Sequence, residues 1–84
     1  MAVYFIEYDL RKTKDYSTLI KEIENLGGVR FLKSAWSIKH DNTTCKIIRE
    51  HLQKFMDSDD GIIVSQVVDW SYYNLEKSPH NPLI

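Results

Sequence analysis

An α+β domain of element order βαββαβ, an antiparallel sheet with two helices on one face, follows from three features of these 84 residues. Two segments repeat apolar residues at helical spacing along a single stripe. Four short runs are rich in β-branched and aromatic residues. Glycines, acidic turns or capping residues separate these segments from one another.

The first strand is read at residues 3–8, where Tyr4, Ile6 and Tyr8 share one face and Val3, Phe5 and Glu7 the other. Behind it, Leu10-Arg11-Lys12-Thr13-Lys14 is a polar, basic connection, and Thr13 or Asp15 can cap the helix that follows. That helix buries Tyr16, Leu19, Ile20, Ile23 and Leu26, exposes Lys21, Glu22, Glu24 and Asn25, and stops at Gly27-Gly28. Residues 29–40 are too long for one flat strand in so small a domain. With Lys33-Ser34 as a tight turn they read as a hairpin, 29–32 and 35–39. Asp41-Asn42-Thr43 offers caps for a second helix with the inner stripe Cys45, Ile48, Leu52, Phe55 and Met56. The acidic turn Asp57-Ser58-Asp59-Asp60-Gly61 ends it, and a last strand runs from Ile62 to about Trp70.

Each helix has one apolar stripe, so both cover the same side of the sheet. Right-handed crossovers then give the split βαβ arrangement of a ferredoxin-like fold. The other side is expected to carry residues such as Phe5, Phe31, Trp36, Ile38 and Val67 or their neighbours, more apolar than an open sheet tolerates. Homodimerisation through sheet faces or edges is the simplest remedy. A chain of this length buries only about 60% of its unfolded surface, which adds to the case for a partner. Residues 1–75 are read as one domain and 76–84 as a C-terminal tail that is flexible or docks on the partner.

Hydrophobic residues at 43% and charged residues at 27% place the chain among ordinary globular proteins and exclude disordered and fibrous classes. Cys45 is alone, which excludes an intrachain disulfide, a thiolate zinc site and a CxxC redox pair. The start of the chain lacks a basic n-region and no apolar run reaches about 18 residues, so a cytoplasmic protein with no membrane partner is expected. His40, His51 and His80 have no metal-ligand spacing, Gly27-Gly28 precedes a strand rather than a helix, and no GxSxG motif occurs. The net charge of -1 hides a split, +3 over residues 1–54 and -4 over 55–84. That split is compatible with a basic face for an anionic partner, and equally with a plain solvated surface.

Two motifs stand in a telling order. The first strand ends in Tyr8-Asp9-Leu10, and the hairpin reads Gly28-Val29-Arg30-Phe31-Leu32-Lys33-Ser34-Ala35-Trp36. Together they resemble the Cas2 and Cas2-like (SinR-type) small proteins over roughly residues 2–70. The resemblance implies a homodimer associated with DNA or RNA and a Mg²⁺-dependent endonuclease activity. Asp9 would be the catalytic metal ligand, paired across the dimer, and Ser34 a nearby catalytic hydroxyl. A single aspartate is a thin basis for octahedral Mg²⁺, but a twofold axis presents two. Glu7 has the same strand parity and is a candidate second acid. The competing readings are a strand-end Asp9 bonding local amides, an ordinary turn hydroxyl at Ser34, and a salt-bridged Glu7.

Arg11, Lys12, Lys14, Arg30 and Lys33 are the candidate phosphate contacts. Where Cas2 nucleases carry several arginines, this chain has Arg11, Lys12 and Lys14, a less bidentate clamp. Trp36, Trp70, Tyr72 and Tyr73 can stack on bases, although core or interface is the usual role of sheet aromatics. The resemblance also suggests a fifth strand at 71–75, added to the partner's sheet edge. The alternative function is a catalytically inactive dimeric module that binds a protein partner or a small nucleotide.

Overall fold

The computed structural model describes residues 2–81. Its elements are β1 (Ala2–Asp9), α1 (Ser17–Asn25), β2 (Val29–Leu32), β3 (Ala35–His40), α2 (Cys45–Gln53) and β4 (Gly61–Val67). The strands form one antiparallel sheet of order β2-β3-β1-β4. This is the ferredoxin-like α+β arrangement expected from the sequence.

Alternation in β1 decides the core. Tyr4, Ile6 and Tyr8 point to the helix side, where they meet Trp36 and Ile38 of β3, Leu19 and Ile23 of α1, and Ile48 and Leu52 of α2. The polar atoms that enter this layer are partnered: the Trp36 indole N–H donates to Tyr8 OH at 3.0 Å, and Tyr4 OH donates to the Thr43 carbonyl at 3.0 Å. Gly28 is where the β2 entrance passes against α1. A Cβ there would come within 2.7 Å of the Ile23 carbonyl and 2.9 Å of the Trp36 ring, so close approach rather than backbone freedom requires glycine.

Several boundaries differ from expectation for local reasons. The N-cap position of α1 is Tyr16, not Thr13 or Asp15, and its side chain makes no cap hydrogen bond; Asp15, one residue earlier, accepts the Ser17 amide on Oδ1 at 2.8 Å, which holds its carboxyl below the usual range. The cap of α2 is Thr44, not a residue of 41–43: Thr44 is extended and its hydroxyl accepts the Ile47 amide at 3.2 Å. Asn42 instead takes a left-handed turn conformation, φ 56°. The last strand stops at Val67, and 71–75 is irregular in this chain.

The largest correction concerns the face without helices. The register pairs Ile6 with Trp36 and Tyr4 with Ile38, so Trp36 and Ile38 belong to the helix side, while Phe5 pairs with Ser37. The helix-free face carries Val3, Phe5, Phe31, Ser37 and Val67, and the chain's own C-terminal segment lies across it. Phe5 stacks against Phe31 (centroids 4.8 Å apart) and meets the edge of Trp70 (5.4 Å). Further along, Pro79 is buried, the His80 backbone N–H donates to Ser37 Oγ at 3.0 Å, and His80 Nδ1 lies 2.6 Å from the same oxygen. Lys39 Nζ donates to the Asn81 carbonyl at 2.9 Å. Val3 and Ser37 are fully buried although no helix covers them. Of the tail read at 76–84, residues 76–81 are described, and 82–84 lie outside the described residues.

Candidate functional site

The end of β1, the β2–β3 turn and the start of β4 meet at one end of the sheet, because Glu7 pairs with Ala35, the Tyr8 amide donates to the Ser34 carbonyl at 3.1 Å, and Asp9 pairs with Gly61. This end gathers the two candidate catalytic residues, Asp9 and Ser34. Glu7 is exposed on the same face of β1 as Asp9. The Asp9 side chain is 72% exposed, and its Oδ2 accepts from the Arg11 guanidinium Nε at 3.1 Å. Gly61 makes room for that pairing, since a Cβ there would stand 3.3 Å from the Arg11 guanidinium.

The five basic candidates separate into two groups. Arg30 serves the hairpin: its Nε and Nη2 donate to the Lys33 carbonyl at 3.0 and 2.6 Å, and its guanidinium lies 5.3 Å from the centre of the Trp36 ring. Ser34 and Lys33 occupy the exposed turn that this clasp shapes. Arg11, Lys12 and Lys14 lie instead against the acidic loop between α2 and β4. Arg11 Nη1 donates to the Asp59 carbonyl at 2.8 Å, Lys12 Nζ pairs with Asp59 at 2.8 Å, and Lys14 Nζ pairs with Asp57 at 2.9 Å. The two lysine contacts are surface ion pairs, weakened by solvent and salt, and the Arg11 contact is a hydrogen bond to a backbone carbonyl.

At the centre of this contact is Asp60, a half-buried carboxylate. Its Oδ1 accepts the Arg11 amide at 2.8 Å and the Tyr16 hydroxyl at 2.9 Å, and its Oδ2 accepts the Asp57 amide at 2.8 Å. Burial pushes its carboxyl upward, but the Arg11 and Asp57 amides, the Tyr16 hydroxyl and the Lys14 charge outweigh it and hold the group below the usual carboxylate range. Burial, together with the bond to Asp60, raises the Tyr16 hydroxyl, and the Asp57 carboxylate raises Lys14. Asp57, Asp59, Asp60 and Tyr16 are the members of this site that the sequence reading missed. The available signal was complementary charge, a basic loop after the first strand and an acidic one before the last, in a fold that makes those strands neighbours.

The donor set of one chain does not suit Mg²⁺. Asp9 supplies a single exposed carboxylate already facing a guanidinium, and the described residues contain no group of three His, Cys, Asp or Glu able to hold a metal ion. A metal at Asp9 would take one carboxylate from this strand end, its remaining positions falling to water, a substrate phosphate or a second copy.

Fold and site thus define a small ferredoxin-like domain with an acidic strand end beside a Ser-bearing hairpin turn. A family model described as CRISPR associated protein Cas2 matches residues 1–75, and the chain belongs to that family. No solved structure matches it. Among the described residues, no helix is long and apolar enough to cross a membrane.

Proposed function

We propose that this chain works as a Cas2-type homodimeric, nucleic-acid-associated protein in the cytoplasm, with Mg²⁺-dependent phosphodiester cleavage centred on Asp9 paired across the dimer and Ser34 close by. The observation that carries this reading is the placement of Asp9, in a chain matched to the family over 1–75, at an exposed strand end on the sheet face without helices. Exposed Ile63, Val68, Tyr72 and Tyr73 on β4 and the segment after it support a second copy as partner. A shared ion would supply charge neutralisation at the phosphate and an activated water. The protein's own contribution is to hold the two carboxylates on rigid strands and to offer Arg11, Lys12, Lys14, Arg30 and Lys33 for backbone contacts.

The test is incubation of purified protein with Mg²⁺ or Mn²⁺ on single- and double-stranded DNA and RNA, beside Asp9→Asn. Cleavage is expected to fall to background in the variant, whose fold is unaffected because only a surface ion pair is lost. Undiminished cleavage removes Asp9 from the mechanism. Light scattering is expected to give twice the 9.9 kDa chain mass, and a monomer at micromolar concentration rules out the shared ion.

A second reading has its own support. Asp9 faces Arg11, and the basic loop is matched by acids of the same chain. These pairings suit a catalytically inactive dimeric module for a protein or small-nucleotide partner. In that case neither cleavage nor salt-sensitive nucleic-acid binding is expected.

A further inference from the structure

We propose that the loop Asp57-Ser58-Asp59-Asp60 is a built-in phosphate mimic: it occupies the cationic loop Arg11-Lys12-Thr13-Lys14 and lowers the affinity of this end of the sheet for a nucleic-acid backbone. The inference rests on the nucleic-acid reading above and concerns the regulation of that same site. Every cation of the β1–α1 loop has an acidic-loop partner. Lys12 and Lys14 each face one carboxylate oxygen, at 2.8 and 2.9 Å, and the outer guanidinium nitrogen of Arg11 is used on the Asp59 carbonyl. A phosphate oxygen would take the same positions on the two ammonium groups.

The loop divides into an anchor and two latches. Asp60 is the anchor, because its carboxylate accepts from the Arg11 amide, the Tyr16 hydroxyl and the Asp57 amide and so fixes one loop on the other. Asp57 and Asp59 are the latches, and their ion pairs lie at the surface, where salt screens them. A strand of phosphates offers a repeated negative charge and releases counterions when it binds, neither of which two isolated carboxylates can match. The latches therefore compete with nucleic acid without blocking it. The effect is a threshold, in which weak or short polyanions are rejected and extended ones displace both carboxylates together. It also accounts for the charge split along the chain: the negative loop of the second half is placed on a positive loop of the first.

The experiment compares the full-length wild type with the double variant Asp57→Asn, Asp59→Asn for binding labelled single-stranded and duplex oligonucleotides across a salt series, followed by fluorescence anisotropy. Asp60 is kept so that the loop stays docked, and circular dichroism checks the fold. Two freed lysines predict binding tighter by about tenfold at low salt and a log–log salt slope on duplex steeper by about two. A charge-matched control, Glu24→Gln with Glu50→Gln on exposed helix positions, carries the same net-charge change and is expected to alter affinity less than twofold. Adding Lys12→Ala and Lys14→Ala to the double variant is expected to abolish the gain. Equal affinity of wild type and double variant, or an equal gain in the control, overturns the phosphate mimic while leaving the nucleic-acid reading intact. Binding by none of the proteins overturns both.

Discussion

The two faces of this sheet are made from the same strands and closed by different physics. On the helix side, Ile6, Leu19, Ile23, Ile38 and Leu52 are almost fully buried against one another. That face is sealed by apolar area contributed from β1, α1, β3 and α2, and truncating one of these residues leaves a cavity that its packed neighbours fill only in part. The helix-free face is closed by a strap. Trp70 meets Phe5, Pro79 is buried, and a single serine hydroxyl takes both the amide and the ring of His80. A face closed by a few contacts from an irregular segment opens at much lower cost than one closed by two helices. Stability is therefore expected to reside mainly on the helix side of the sheet and adaptability on the other.

The sharpest way to break this contrast is to cut both sides. Ile6→Ala is expected to destabilise the whole domain by about 2–5 kcal/mol, read as a lower midpoint in urea with cooperative unfolding preserved. A loss below 1 kcal/mol would mean the helix side is not the stability-bearing layer. Ser37→Ala removes the oxygen that accepts the His80 amide, and a lost partner of this kind costs about 1–3 kcal/mol. That loss is expected locally, as faster proteolysis and hydrogen exchange over residues 76–81 with a much smaller change in global unfolding. If global stability falls as far as with Ile6→Ala, the strap is part of the core.

The smallest effect is on acidification. Burial, with the nearby charges of Lys39 and His40, lowers the His80 imidazole below its ordinary 6.5, against the opposing bond with Ser37. A histidine lowered in the docked state contributes stability that is complete above the free value and lost as pH falls through 6.5 toward the docked value. The strap is therefore expected to loosen from about pH 6.5 downward, seen as shifts in the NMR resonances of Ser37 and His80 while those of Ile6 and Leu52 stay fixed. Invariant Ser37 signals down to pH 5 would show that docking is indifferent to this proton.

Much of the fold was legible because its signals are local. Helical spacing fixes the stripes Leu19-Ile23 and Ile48-Leu52, and Gly27-Gly28 marks a stop whose second glycine also lets β2 pass under Ile23. Turn residues place the hairpin, with β2 and β3 bounded on either side of Lys33-Ser34. The assignment of Trp36 and Ile38 to the open face missed because a strand's alternation defines two sets without saying which set faces the helices. Register against β1 settles that, through the pairs Ile6 with Trp36 and Phe5 with Ser37. Thr44 escaped notice for a similar reason, since four consecutive polar residues all qualify as caps and only the turn at Asn42 selects one.

The site divides in the same manner. Asp9, Ser34 and the five basic residues could be named from motif order, and the structure brings the strand end and the hairpin turn together. Motifs give no indication of what each charge faces. Arg30 is spent on a turn carbonyl, and Arg11, Lys12 and Lys14 are matched by Asp57, Asp59 and Asp60, some 45 residues away along the chain.

By itself the sequence determined the element order, the two helical stripes and the family motifs, because spacing, capping and turn chemistry act over a few residues. Only the tertiary structure decided which strand face is core, that the chain's own tail covers the other, and that the basic loop is held by an acidic one. Those outcomes depend on strand register and on loops that meet across the sheet, and neither leaves a periodic trace in the chain.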